Sequence, residues 1–85
     1  MALKDAKTPA EVLDMLGHDI NLSDADMQYV DGVFVSYLGN QVVHRRPVYG
    51  DNGRCEYTLC DRTRVYFRRR PDGLWKRWID GQPWP

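Results

Sequence analysis

The sequence predicts an α+β domain: two short N-terminal helices packed on one face of a three- to four-stranded antiparallel β-meander. Three observations carry that expectation. Two well-capped stretches before Asn40 space their apolar residues three and four apart, the period of a helix that faces a core. From Gln41 onward the pattern changes to short runs broken by Gly-, Asn- and Asp-bearing turns, which reads as hairpins in sequence. Finally, 85 residues suffice for one core and no second one. The whole chain is therefore expected to be a single domain, with a helical half over 1–40, a meander over 41–80 and a tail over 81–85.

The first helix is expected over residues 9–16. Thr8 is its N-cap, Pro9 occupies the first helical position, and Glu11 completes a capping-box arrangement. Val12, Leu13 and Leu16 share one face, and Gly17 is a natural left-handed stop. So short a helix does not persist alone in water and must dock. Ser23 caps the second helix, with Asp24 and Asp26 in the first turn where the helix dipole favours negative charge. Met27, Val30, Phe34, Tyr37 and Leu38 form an apolar stripe read as core packing, and Gly39 ends the helix. Gly32 is its weak point, since an interior glycine costs about 1 kcal/mol against alanine.

Strands are expected over 41–49, 54–60, 64–70 and 74–79. Pro47 lacks a donor, which makes the first an edge or a bulged strand. In the second, Cys55, Tyr57 and Leu59 share one face against Arg54, Glu56 and Thr58. In the third, Val65 and Phe67 oppose Arg64, Tyr66, Arg68 and Arg70. A two-residue loop at Asp61-Arg62 mixes these faces, whereas a three-residue loop over 61–63 keeps them apart. The latter sets Leu59 against Val65, Tyr57 against Phe67 and Glu56 against Arg68, the last a favourable cross-strand pair. For the last hairpin the same argument favours Arg69 opposite Leu74, Phe67 opposite Lys76 and Val65 opposite Trp78. Its turn is then Arg70-Pro71-Asp72-Gly73, with proline where a type I turn wants it. Lys76 joins the core face by its aliphatic stem, while Trp75 and Arg77 face water, across from Arg68 and Tyr66 and suited to cation–π stacking.

Twelve Lys and Arg balance twelve Asp and Glu. The balance hides a split. Residues 1–40 hold two lysines against seven acids, net −5, and residues 41–85 hold ten basic residues against five acids, net +5. Such asymmetry suggests an anionic partner for the basic half, unless the halves face and neutralise each other. Placing the helices over the apolar side of the sheet leaves most arginines pointing away from them, which weakens internal neutralisation.

Metal, cofactor and catalytic signatures are missing from the sequence. Cys55 and Cys60 stand an odd number of positions apart in one strand, so they point to opposite faces and do not pair. His18 and His44 have no neighbouring ligand motif. No Gly-rich phosphate loop, nucleophile elbow or paired His/carboxylate motif occurs, and Asp24-Ala25-Asp26 lacks the glycine of a calcium loop. No apolar run approaches the ~20 residues of a membrane span, and Met1–Lys7 lacks the apolar stretch of a signal peptide, so a cytoplasmic, non-enzymatic protein without cofactor is expected.

The expected functional surface is the arginine–aromatic sheet face: Arg64, Tyr66, Arg68, Arg70, Trp75 and Arg77, with Trp84 of the Pro83-Trp84-Pro85 tail as an anchor or a cover for the core edge. Trp, Tyr and Arg are enriched at interface hot spots, which favours a protein partner with an acidic surface and an adaptor or inhibitor role, in the size and style of phage and mobile-element proteins. The alternative is single-stranded DNA or RNA, whose phosphates meet guanidinium groups and whose bases stack on sheet aromatics. A homodimer seam on the same face is a further reading of it.

Overall fold

The computed structural model of the chain describes residues 3–16, 21–48 and 53–79. A 3-10 turn, Leu3–Asp5, precedes α1 (Pro9–Met15), β1 (Asn21–Leu22), α2 (Asp24–Ser36), β2 (Val42–Val48), β3 (Arg54–Leu59), β4 (Arg64–Arg69) and β5 (Trp75–Ile79). The strands form one antiparallel sheet in the order β1-β5-β4-β3-β2. The α+β class and the meander from β2 to β5 are as the sequence suggests. The sheet has five strands, however, because Asn21 and Leu22 pair with Lys76 and Trp75. A two-residue strand carries no alternation for a sequence to display.

Both helices start where their caps place them. Thr8 Oγ1 accepts the Glu11 N–H at 3.2 Å, and Pro9 stands at the first helical position. Ser23 builds a full capping box with aspartate in the usual glutamate place: Asp26 N–H donates to Ser23 Oγ at 3.1 Å, and Ser23 N–H donates to Asp26 Oδ2 at 3.3 Å. α2 stops at Ser36, ahead of Leu38. Leu38 therefore leaves the apolar stripe and is exposed, while Val33 enters the core in its place. Gly39 lies beyond the helix with φ 85°. Gly17, His18 and Trp84 lie outside the described residues.

The core forms where α2 crosses the sheet. Phe34 stacks on Tyr57 with ring centroids 4.3 Å apart, and Phe67 meets both edge-on at 6.3 and 5.9 Å. Val30, Val42 and Val65 fill the space around these rings, all fully buried. α1 packs against α2, adding Val12 and Leu16 to the same cluster. The sheet thus receives α2 directly, and α1 sits at its flank rather than sharing the face equally.

β1 is too short to template another strand. At β2, the Arg69 N–H to Gly53 O and Leu59 N–H to Thr63 O bonds turn the odd-numbered backbone groups of β3 toward β4, so its even-numbered groups face β2. The backbone groups of His44, Arg46 and Val48, paired with Thr58, Glu56 and Arg54, therefore point inward. Those of Arg45 and Pro47 face outward, and Pro47 has no N–H to offer. A bulge between Val42 and His44 interrupts the other end. Among the described residues no helix is long and apolar enough to cross a membrane. Among the described residues, the face of the sheet turned away from α2 carries exposed and half-buried side chains.

Candidate functional site

The hairpin turns decide which side chains that face carries. Both β3–β4 and β4–β5 close over three residues, Cys60-Asp61-Arg62 and Pro71-Asp72-Gly73. In each, the central aspartate Oδ1 accepts the N–H two residues on, from Thr63 at 2.9 Å and Leu74 at 3.0 Å. In each, the third residue is left-handed, Arg62 at φ 72° and Gly73 at φ 88°. This is the common three-residue hairpin, a type I turn followed by a left-handed residue.

The first turn lies one position earlier than the sequence suggests, so the register moves by two. Tyr57 stands opposite Val65, Cys55 opposite Phe67, and Glu56 opposite Tyr66 rather than Arg68. An even shift preserves the faces, and Cys55, Tyr57, Val65 and Phe67 are buried as expected. The second turn is one residue shorter than expected, Arg70 pairing with Leu74 through the Arg70 N–H to Leu74 O bond. An odd shift turns every side chain over. Trp75 stands opposite Arg69 and Arg77 opposite Phe67, and both point toward the helices, only 7% and 8% exposed. The exposed positions and cation–π pairings expected for these two residues are overturned. Lys76 takes the open side instead.

The open face consists of three lateral rows. Arg54, Arg68 and Lys76 stand directly opposite one another across β3, β4 and β5. Arg46, Glu56 and Tyr66 form the second row. His44, Thr58 and Arg64 form the third. Arg46, Arg54 and Arg64 lie toward the more exposed parts of the face, and Arg68, Tyr66 and Lys76 are half-buried. The Arg54–Arg68–Lys76 row sets three cations side by side across three strands. Arg70 stands at the turn, exposed, its Nε 3.8 Å from Asp72 Oδ2. Of the expected residues, Arg64, Tyr66 and Arg68 therefore gather on one surface, Arg70 borders it, and Trp75 and Arg77 lie behind it. Lys76 and Arg54 are the residues the sequence reading misses. The left-handed preference of Gly73 was the signal that would have found Lys76.

The helix side handles its charges differently. Arg45 makes a two-pronged pair with Asp31, Nε–Oδ1 and Nη2–Oδ2 both at 2.7 Å. Tyr57 donates to the same carboxylate at 2.5 Å and accepts from the Cys55 thiol at 3.0 Å. Burial works against Asp31 ionising, but the Arg45 and Tyr57 hydrogen bonds outweigh it and the pKa falls below the usual carboxylate value. Asp24 accepts from Arg69 Nε at 3.2 Å and from Trp75 Nε1 at 2.7 Å; these two bonds lower its pKa as well. Internal neutralisation of the two halves thus operates here, through Arg45 and Arg69. Arg77 stays charged without a hydrogen-bond partner for its Nε among the described residues.

A cleft of about 260 Å³ opens between α2 and the sheet, lined by Asp24, Met27, Gln28, Asp31, Cys55 and Trp75. Its carboxylates already hold Arg69, Trp75, Arg45 and Tyr57. Burial pushes the Cys55 thiol up to about 11, the reverse of what a nucleophilic cysteine requires. The Asp31–Tyr57–Cys55 chain therefore satisfies buried polar groups, with Tyr57 and Cys55 keeping their protons beside an ionised Asp31. Cys55 and Cys60 are both free thiols. Among the described residues, no group of three or more His, Cys, Asp or Glu is placed to hold a metal ion. No protein-family model, curated protein or solved structure matches the chain.

Proposed function

We propose that the chain is a small non-enzymatic binding module whose open sheet face receives a polyanionic partner. The observation that supports it is the Arg54–Arg68–Lys76 row, three cations in cross-strand register, with Arg46 and Glu56 in the next row and Arg64 in the row beyond. Cations gathered in one row raise the local potential that draws a polyanion. Guanidinium groups suit this use because they present paired donors to carboxylate or phosphate oxygens. Two acids that would oppose such a partner lie on the far side of the sheet, where Asp24 and Asp31 are matched to Arg69 and Arg45. An adaptor or inhibitor that docks an acidic protein is one form of this activity. Its expected Trp–Arg hot spot weakens, because Trp75 and Arg77 sit behind the sheet.

The test is a titration of labelled polyglutamate, dextran sulfate and a mixed-sequence oligonucleotide at about 50 mM salt, where exposed charge interactions are only moderately screened. The wild-type chain is expected to bind at least one of these. An Arg68→Glu/Lys76→Glu double variant that melts at the same temperature is expected to bind none. Silence from the whole series, or undiminished binding by the double variant, would remove the open face as the functional surface.

A further inference from the structure

We infer that the polyanion is single-stranded nucleic acid, its backbone crossing β3, β4 and β5 along Arg54, Arg68 and Lys76 while a base stacks on Tyr66. This rests on the reading of the open face as a polyanion site and names the occupant. The cations of the row are evenly spaced, one per strand at about 4.8 Å, so the row runs roughly 10 Å. Evenly repeated charge on a receptor suits a polymer that carries one charge per unit.

The composition of the face argues the same way. The cores of protein interfaces are apolar and depleted of charge, lysine above all. Here the central row carries Arg46 and Glu56 beside Tyr66, and Arg68 stands one row away between Arg54 and Lys76. That offset, two residues along β4 or about 7 Å, places a planar ring beside a phosphate track at the distance of a base from its own backbone. Glu56, next to Tyr66 in register, repels phosphate from the second row and confines the track to the first.

Duplex is disfavoured by shape. The major groove admits a helix or a two-stranded ribbon, and this surface spans β2 to β5 of a wider sheet. Unpaired bases can splay onto a sheet; paired ones cannot.

The experiment uses the full chain with labelled single strands of DNA and RNA, the matching duplex, and polyglutamate of equal charge. Single strands are expected to bind at least tenfold tighter than duplex or polyglutamate. With three phosphates neutralised, the log–log salt slope is expected near −2, roughly a 20-fold loss between 50 and 200 mM salt. Arg68→Ala is expected to reduce that slope by about 0.7. Tyr66→Leu is expected to weaken binding about tenfold at unchanged slope, and Tyr66→Phe to retain it, since stacking needs the ring alone. Equal affinity for polyglutamate, preference for duplex, or a neutral Tyr66→Leu would overturn the nucleic-acid inference while leaving the polyanion face intact. Failure of every polyanion to bind would take both down together.

Discussion

The two faces of the sheet carry arginines of opposite kinds. On the helix side Arg45 and Arg69 each meet a carboxylate of α2, and the Arg45–Asp31 pair closes a network that also satisfies the hydroxyl of fully buried Tyr57. On the open side Arg54, Arg68 and Lys76 line up across three strands. The same residue type ties helix to sheet on one face and gathers into a cationic row on the other. Register decides which, since one step along a strand moves a side chain from core to solvent. A formal net charge of zero reports neither arrangement.

The largest difference between the two faces is expected at two adjacent residues of β5. Trp75→Ala removes a buried indole that also donates to Asp24, and a loss of about 3–5 kcal/mol is expected in urea unfolding. Lys76→Ala, on the open side, is expected to stay within about 0.5 kcal/mol of wild type. The reverse order would mean that β5 is turned over, with Lys76 inward.

A smaller effect is expected at the charge pair that marks the helix side. Asp31→Ala leaves Arg45 and the Tyr57 hydroxyl without this acceptor, at a cost of about 1–3 kcal/mol. Asp31 and Asp24 have folded pKa values below the ordinary one, so the unfolded chain takes up their protons first as pH falls. Their contribution is present above about pH 4 and lost as pH drops further through the folded values. Unfolding curves from pH 6 to 2 are expected to show that loss, with the Asp31→Ala variant flatter than wild type. Equal acid dependence in the two proteins would show that Asp31 has no share in it.

The smallest effect sharpens the comparison on α2 itself. Gly32 faces open space, with no neighbouring atom within 4 Å of where a methyl group would stand, so Gly32→Ala is expected to stabilise by about 1 kcal/mol. Binding to the face across the sheet should not change. A destabilised variant in thermal melts would show that the glycine answers a need of α2 other than room for a side chain.

Much of this architecture was legible in the residues. Thr8 and Ser23 announce their helices, because a cap is a local hydrogen bond between neighbours. Alternation in Arg54–Leu59 and Arg64–Arg69 gives the buried side of each strand correctly, even though the expected loop is misplaced. A two-residue shift changes partners and leaves parity alone. β5 is where the reading fails, since Leu74, Trp75, Lys76, Arg77 and Trp78 offer an apolar residue to either face. The candidate surface follows the same division: Arg64, Tyr66 and Arg68 are found from β4 and the side of Arg54 from β3, whereas Lys76 joins them only through pairing.

By itself, then, the sequence determined the elements, their caps and the sidedness of β3 and β4, all set by interactions within a few residues. The tertiary structure decided the sidedness of β5, the existence of β1 and the pairing of Asp24 and Asp31 with the sheet. Trp75 turns inward where α2 covers the sheet and Asp24, 51 residues earlier in the chain, accepts its N–H. Contacts of that range leave no period in the sequence, and they put Trp75 and Arg77 on the helix side and Lys76 on the other.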